Sequence, residues 1–264
     1  MKPITIFNRL LSLALLTTAL FTTSCKKDKD DKRIKEMRLI KLEESATSYT
    51  TFDYNSKNQV VKMTSNEGTI AQTFNVSYEN NKPSLIKSGE GSMKFTYVNN
   101  KLDATKLFAD DAQTQLVGHI KLNYLNERID NMVISHLLEG AQEPTPIVKS
   151  LYEYYANGDV KKQVDYVWNP LNGQFKLSAS TVYEYDDKVN PLLALGDAYT
   201  ISFKAVSQHN PVKETEYDEN NELSFTTTYT YTYNSNAYPV TAQRKITAAG
   251  KANSTVSNFK YTYQ

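Results

Sequence analysis

The sequence predicts an all-β protein, an up-and-down antiparallel meander of about 14 to 16 strands closed as a flattened barrel or folded into a sandwich. Three observations lead to this prediction. The 264-residue chain contains 19 tyrosines against 10 phenylalanines and one tryptophan, and tyrosine favours strands. Aromatic and polar residues alternate with a period of two over long stretches. Turns rich in asparagine separate these stretches at fairly regular intervals.

The first 24 residues have the features of a secretory leader. Lys2 and Arg9 make its start basic, an apolar run covers 10–21, and small polar residues fill 22–24. The run suits the core of a signal peptide, and it is shorter than the roughly 20 residues of a membrane-spanning helix. We therefore expect 1–24 to be a lipoprotein signal peptide that is removed from the mature chain.

Cys25, the chain's one cysteine, directly follows this leader, and 26–33 are all charged. A cysteine at this junction predicts a diacylglyceryl anchor, with acyl chains such as palmitate. Two or three such chains exceed the marginal membrane binding of a single chain. The alternative is a free thiol after ordinary cleavage, because Thr22 stands where lipoproteins usually carry leucine. Residues 25–33 are then the lipidated cysteine and a charged tether with no apolar surface to bury.

Residues 34–264 are expected to form a single all-β domain, because one pattern recurs throughout them. An alternating aromatic strand ends in tyrosine and an Asn- or Asp-rich turn follows. The copies end at Tyr54, Tyr78, Tyr97, Tyr124, Tyr154, Tyr185, Tyr217, Tyr233 and Tyr263. Their spacing fits one hairpin per copy, and Asn and Gly tolerate the positive φ of tight turns. Asn157-Gly158 and Asn172-Gly173 are the clearest turn predictions.

The alternation assigns a face to each residue of the longest strands. Between 225 and 233 one face holds Phe225, Thr227, Tyr229, Tyr231 and Tyr233, and the other holds Thr226, Thr228, Thr230 and Thr232. Between 174 and 185 one face is predicted to hold Phe175, Leu177, Ala179, Thr181, Tyr183 and Tyr185. Such strands suit an antiparallel sheet wetted on one side. A helical turn is expected at 191–195, within a connection that runs to about Asn210.

The polar faces hold lysine, glutamate and threonine, which suit contact with water. If the apolar faces pointed outward instead, the barrel itself could cross the outer membrane. The aromatic C-terminus, Phe259-x-Tyr261-x-Tyr263, resembles the last strand of such barrels. A lipid anchor with a charged tether would make that arrangement redundant, so we favour a water-facing domain.

Several short motifs resemble a known group of proteins. They are the segments 183–191 (YEYDDKVNP), 210–213 (NPVK) and 231–234 (YTYN). The chain resembles uncharacterised Bacteroidota lipoproteins with a domain of unknown function and a porin-like β fold. Its Tyr-x-Tyr turns are also similar to the YD repeats of Rhs proteins. The resemblance implies an architecture and an envelope location, and it brings no activity or site residue.

The charged run after Cys25 resembles the surface-export signal of Bacteroidota lipoproteins. This likeness implies a lipid anchor in the outer membrane with the domain on the cell surface. Lys26 and Lys27 precede the acidic residues, so attachment facing the periplasm is the alternative.

Trp168 is the one candidate ligand-binding residue, because it lies near a hairpin tip where exposed aromatic rings can stack on sugars. The alternative is a hydrophobic plug at the end of the sheet. His119 and His136 would share a face diagonally if Leu125 lies opposite Arg128. Two ligands are fewer than a metal site requires, so no metal is expected.

Acidic pairs occur at 110–111, 186–187 and 218–219, where carboxylates are expected to cap turn amides. The chain shows no nucleophile elbow, phosphate loop or Cys/His dyad. The net charge is +1 with no concentrated basic face, which argues against nucleic-acid binding.

We therefore expect a non-enzymatic binding or structural module without a cofactor, attached to the membrane through Cys25 and partnered by a polysaccharide or an envelope protein. One alternative is a glycan-binding accessory lipoprotein of a polysaccharide uptake system that uses Trp168. A hydrolase with Asp186 and Asp187 at a sheet end is another.

Overall fold

The computed structural model describes residues 37–202 and 207–264, and within them the chain forms sixteen antiparallel strands. Each strand pairs with the next, and the last pairs with the first, so the sheet is a closed barrel. The strands are β1 (Leu39–Ser45), β2 (Ser48–Tyr54), β3 (Val60–Glu67), β4 (Ile70–Glu79), β5 (Lys82–Lys87), β6 (Ser92–Val98), β7 (Lys101–Phe108), β8 (Leu116–Leu125), β9 (Arg128–His136), β10 (Thr145–Tyr154), β11 (Val160–Asn169), β12 (Gln174–Val189), β13 (His209–Asp218), β14 (Leu223–Tyr233), β15 (Pro239–Ala248) and β16 (Ser254–Tyr263). The predicted all-β meander is confirmed, in its barrel form.

The signal peptide and tether, including Cys25, lie outside the described residues. No helix in the described part of the chain is long and apolar enough to cross a membrane.

The barrel has two distinct ends. Connections that follow even-numbered strands meet at one end, which we call the tyrosine end, together with Met37 and Gln264. Connections that follow odd-numbered strands meet at the other, which we call the open end. Asn80, Asn99 and Asn126 have φ between 49° and 51°, as the turn chemistry predicts. Gly158 has φ 101° and its amide donates to Tyr155 O, confirming the strongest turn prediction.

The apolar faces of the strands point into the barrel. On β14 the register confirms the predicted division, with Tyr231 opposite the buried Ala242 and Thr232 opposite Thr241. On β12 the prediction is wrong for Phe175 and Leu177. A β-bulge pairs Ala179 with Asp165 but Leu177 with Tyr166, and this one-residue shift turns the start of β12 to the outer face.

The interior of the first half of the barrel is filled with side chains. Leu102 and Ile120 are fully buried, and Ile86 is nearly so. A circular barrel of about sixteen strands would enclose a water-filled lumen. These inward side chains belong to one hydrophobic core, so this half of the barrel is packed and holds no water-filled lumen.

Tyrosines near the strand ends tie most hairpins to their neighbours. In Tyr78, for example, the hydroxyl donates to Val60 O at 2.9 Å, and Val60 is the residue that pairs with Tyr54 of the preceding hairpin. We call this arrangement a tyrosine latch. Within the described residues it occurs seven times, from Tyr54, Tyr78, Tyr97, Tyr124, Tyr154, Tyr231 and Tyr263 to the carbonyls of Leu39, Val60, Pro83, Leu102, Ile129, Pro211 and Pro239.

The latches have a physical cause in the strand register. A β-bulge follows the turn in most hairpins, so that Asp53 pairs with Lys62 but Tyr54 pairs with Val60. Bulges disrupt the ladder of backbone hydrogen bonds. The hydroxyl of the next tyrosine supplies a donor to the carbonyl at that point, which explains why this residue recurs at the strand ends.

The hairpin formed by β12 and β13 lacks the latch and has a longer connection in its place. The Tyr185 hydroxyl accepts a hydrogen bond from Ser207 Oγ, which in turn accepts one from Val160 N. The connection after β12 contains a 3₁₀-helical segment, Pro191–Ser202, interrupted at Gly196 with φ 59°. The predicted helical turn is therefore confirmed. We call this segment the plug.

The plug covers the tyrosine end from inside the barrel. Its residues Leu192, Leu195 and Ala198 are buried in the same hydrophobic core as the strands. It starts between β12 and β13 and contacts β5 and β1 on the other side of the barrel. The plug therefore spans the mouth and closes it.

Candidate ligand-binding cavity

A cavity of about 230 Å³ lies inside the barrel, between the plug and the inner face of β13–β16. The plug contributes Pro191 and Leu192 to its wall, and the preceding residue Asn190 lines it as well. The strands contribute Leu42, Asn210, Pro211, Glu214, Glu216, Phe225, Thr227, Tyr229, Tyr231, Arg244, Ile246, Phe259 and Tyr261. The lining is therefore mostly apolar and aromatic with a few charged groups, as in small-molecule sites.

The cavity is accessible from the open end. Phe225 faces inward, opposite Glu216 and Ala248, and yet 43% of its surface is exposed. Val167 on β11 pairs with Val148 and is likewise 46% exposed. Because inward side chains reach solvent at this end while the plug fills the other, the barrel is a cup.

Stacked tyrosines form one wall of the cavity. The rings of Tyr229 and Tyr231 are 6.1 Å apart and inclined by 13°, and that of Tyr233 follows 5.8 Å beyond. Burial, and then the nearby carboxylate of Glu214, raise the pKa of Tyr229 well above its ordinary value. This hydroxyl therefore stays neutral at physiological pH and acts as a hydrogen-bond donor.

The charged groups of the cavity differ in their partners. Glu214 accepts a hydrogen bond of 3.0 Å from the Tyr229 hydroxyl. Arg244 Nη2 lies 3.5 Å from Glu44 Oε1, and its guanidinium covers the Phe259 ring at 5.1 Å. The arginine charge is thus matched by Glu44, whereas Glu214 accepts its hydrogen bond from a neutral hydroxyl.

A buried polar cluster holds the plug to the barrel. The carboxylate of Asp159 is fully buried and accepts hydrogen bonds from Gln208 N at 2.7 Å and His209 N at 3.2 Å. Its other oxygen lies 2.7 Å from both His209 Nδ1 and Asn157 Nδ2. The Asp–His contact resembles part of a catalytic dyad, but Ser207 Oγ is engaged with Tyr185 and the Val160 amide. This cluster is therefore a clasp for the connection.

Trp168 lies outside the cavity, on the outer face of the hairpin between β11 and β12. Its ring meets that of Phe175 edge-on at 5.2 Å, next to Gly173 in the turn. Leu171 at the tip is 94% exposed. The residue is near a hairpin tip as predicted, but it does not fill the end of the sheet.

The predicted diagonal pair of histidines is wrong. Leu125 does lie opposite Arg128, but a bulge at Tyr124 shifts the register, so His119 pairs with Ser135 and His136 with Gly118. A shift of one residue places the two histidines on opposite faces. No group of three potential metal ligands occurs within the described residues.

At least one carboxylate of each acidic pair accepts backbone hydrogen bonds, as predicted, whereas Asp187 and Glu219 form ion pairs with Lys188 and Lys176. Asp110 accepts hydrogen bonds from Thr114 N and Gln115 N, and these bonds lower the pKa of its carboxyl. Asp218 accepts from Asn220 N and Glu222 N in the same way. Asp186 accepts from Lys188 N and from the Tyr233 hydroxyl, so it is tied to the fold.

Sequence reasoning missed the cavity and its charged residues. The segment Thr215-Glu216-Tyr217 looks like another Tyr-x-Tyr copy, but its turn lies at the open end. Its register turns Tyr217 outward, opposite Ser180, and Glu214 and Glu216 inward. The available signal was the Glu-x-Glu segment one strand before the mostly aromatic face of β14, because it indicates charged groups beside an aromatic wall.

Comparisons with known proteins support the fold. No family model matches the chain, and no curated protein sequence matches it either. A crystal structure of a porin-like protein from Bacteroides uniformis is similar, with 15% identity, a TM-score of 0.56, and coverage of 86% of this chain and 98% of that one. A porin-like protein from Bacteroides vulgatus has 11% identity, a TM-score of 0.55, and coverage of 86% and 99%. The chain therefore shares its barrel fold with porin-like proteins of Bacteroides, which confirms the expected resemblance at the level of the fold.

Proposed function

We propose that this chain is a lipid-anchored outer-membrane protein whose barrel is a non-enzymatic binding module, with the cavity as its ligand site. The observation that carries the proposal is the cup: a mostly aromatic cavity closed by the plug at one end and accessible at the other. Pockets of this kind, with few polar groups in an apolar wall, are the usual sites of small molecules.

The position of the N-terminus supports the anchoring part of the proposal. Arg38 pairs with Gln264 at the tyrosine end, so the chain before it leaves the barrel at the closed end. A lipid on Cys25 would then hold the closed end towards the membrane and turn the open end away from it. The outer face carries ion pairs such as Lys213–Glu184 at 2.8 Å, and charged groups of this kind suit a barrel surrounded by water.

A cavity-filling variant tests ligand binding. The mature chain is screened against a library of small fragments by thermal shift, and each hit is repeated on Thr227→Trp and Thr228→Trp. Thr227 lines the cavity, whereas its neighbour Thr228 is exposed on the outer face. Hits that bind the wild type and Thr228→Trp but not Thr227→Trp support the proposal. Hits that bind all three proteins equally, or no hits at all, contradict it.

The circular dichroism spectrum first establishes that each variant folds. If Thr227→Trp does not fold, Ile246→Trp fills the same cavity from β15 and replaces it.

A second pair of measurements tests the anchor and the location. Mass spectrometry of the exported protein is expected to show Cys25 carrying acyl chains, and Cys25→Ala is expected to leave the outer-membrane fraction. Protease treatment of intact cells then separates surface exposure, which we expect, from a periplasmic orientation. An unmodified thiol on a membrane-free protein would refute the anchor.

Glycan binding at Trp168 is the second candidate function. The outward Trp168–Phe175 pair and the exposed Leu171 form an aromatic edge on the hairpin tip, of the kind that stacks on sugar rings. In a glycan array, Trp168→Ala is expected to lose any polysaccharide signal while Thr227→Trp keeps it. The opposite result would assign the signal to the cavity.

A further inference from the structure

We infer that the cavity selects organic cations, that is, small amines with an aromatic or apolar body. This inference rests on the proposed function, since it names the ligand class of the same cavity. It follows from three features of the wall: its carboxylates, its aromatic faces and the charge around its entrance.

The first feature is the placement of the acidic groups. Glu214 lines the cavity, and among the lining residues that the structure describes Arg244 is the one basic side chain. Arg244 is already matched by Glu44, which lies outside the lining. Glu214 is held by the Tyr229 hydroxyl, which orients the carboxylate without neutralising it. A cation that enters the cavity therefore meets a fixed negative charge.

The effect of Glu214 extends across the cavity wall. Its carboxylate contributes to the raised pKa values of Tyr183, Tyr185 and Tyr229, three tyrosines on two different strands. Because the wall between these groups is apolar, the field of the carboxylate is screened less than it would be in water.

The second feature is the aromatic lining. Tyr229 and Tyr261 lie on one side of the cavity and Phe225 near its entrance. The face of an aromatic ring attracts cations, and the attraction strengthens when the cation is desolvated. Carboxylates combined with aromatic faces are a suitable environment for an ammonium group, whereas an anion would meet repulsion from both.

The third feature is the charge at the open end. Among the connections described there, Lys251 is the one basic residue. The acidic residues of the same connections are Glu90, Asp110, Asp111, Glu139, Glu143, Glu219 and Glu222. Glu219 pairs with Lys176 of β12 at 2.8 Å, but the acidic residues of these connections still outnumber the basic ones, and such an excess of one sign of charge raises the local concentration of the opposite ion. The connections at this end therefore favour cations before any contact with the cavity.

The size of the cavity limits the ligand. At about 230 Å³ it is below the roughly 300–1,000 Å³ of sites for drug-sized molecules, so a single-ring amine is the appropriate probe. Tyramine, 4-ethylphenol and 3-(4-hydroxyphenyl)propionate share one ring and differ in charge: cationic, neutral and anionic. Isothermal titration calorimetry of the mature chain with these three compounds isolates the effect of charge.

Two matched variants complete the experiment. Glu214→Gln removes the charge but keeps an acceptor for Tyr229, and Glu184→Gln removes a carboxylate that pairs with Lys213 on the outer face. We expect tyramine to bind at least about tenfold more tightly than 4-ethylphenol, a difference equivalent to about 1.4 kcal/mol. Glu214→Gln should abolish that preference, Glu184→Gln should retain it, and added salt should weaken it.

The other outcomes are distinct. If tyramine and 4-ethylphenol bind equally and Thr227→Trp abolishes both, the cation assignment is wrong but the cavity remains the binding site. Tighter binding of the propionate would overturn the inference in favour of Arg244. If none of the three probes binds, the inference fails, and the fragment screen decides separately whether the cavity binds anything.

Discussion

Removing one tyrosine latch should measurably destabilise the barrel. The Tyr124 hydroxyl donates to Leu102 O at 2.8 Å, and Leu102 is fully buried. In Tyr124→Phe the ring keeps its apolar contacts and its position beneath Lys101 Nζ, which lies 5.1 Å from the ring centre. The variant therefore removes the hydroxyl and keeps the ring.

The expected cost follows from the buried carbonyl. A typical hydrogen bond contributes about 0.5–1.5 kcal/mol, but a buried acceptor left without a donor costs about 1–3 kcal/mol. Because Leu102 has no access to water, the second figure applies, and we expect a loss of about 2 kcal/mol in the free energy of unfolding. For a domain of this size, that corresponds to a fall in Tm of about 4–8 °C.

The assay is urea unfolding followed by circular dichroism, with Tyr49→Phe as the control. Tyr49 lies on the outer face, where its ring is 4.2 Å from Lys41 Nζ, so its substitution should change stability by less than about 0.5 kcal/mol. The double variant of Tyr124 and Tyr263, whose latches lie in different hairpins, should show additive losses. A Tyr124→Phe protein as stable as Tyr49→Phe would refute the reasoning.

Three further predictions concern other parts of the fold. Burial raises the pKa of Tyr78 to about 12, from 10 in the unfolded chain. The stability that this neutral hydroxyl contributes is therefore complete below pH 10 and is lost as the pH rises through 12. Unfolding at alkaline pH should coincide with the appearance of tyrosinate absorbance. Asp159→Ala leaves the backbone amides of Gln208 and His209 without their buried acceptor, and calorimetry should show a loss of at least about 3 kcal/mol. Gly118→Ala places a methyl group 2.3 Å from Ser135 O, so a loss above about 2 kcal/mol or failure to fold is expected, and normal stability would contradict the strand pairing.

The sequence was sufficient for the architecture because local rules agree with one another throughout the chain. Alternation on β14, positive φ at Asn80 and Asn99, and the turn at Asn157-Gly158 each depend on a few adjacent residues. The strand register was harder to predict. The bulges at Tyr124 and Leu177 each shift the pairing by one residue, and no local composition announces them.

The cavity could not be predicted for a related reason. Its lining comes from strands whose inward residues are known only once the register is fixed, and Glu214 changes from an outer to an inner position with a shift of one residue. The inward position of Glu214 was not apparent in the sequence, because the segment that ends at Tyr217 looks like the other tyrosine copies although its tyrosine points outward. Trp168 attracted attention as the one tryptophan, although the structure places it away from the cavity.

The missing latch explains why the barrel has a single accessible end. At each hairpin that has a latch, a tyrosine hydroxyl donates a hydrogen bond to the carbonyl at the bulge, and the connection is short. Between β12 and β13 the long connection supplies Ser207 to Tyr185 and to the Val160 amide, and the buried Asp159 fixes the chain that leaves the plug. The same connection therefore supplies the hydrogen bonds that the missing latch would have made at the strand ends, and it also closes the tyrosine end. If the plug closes that end for this structural reason, ligand access is confined to the open end, where the acidic connections lie.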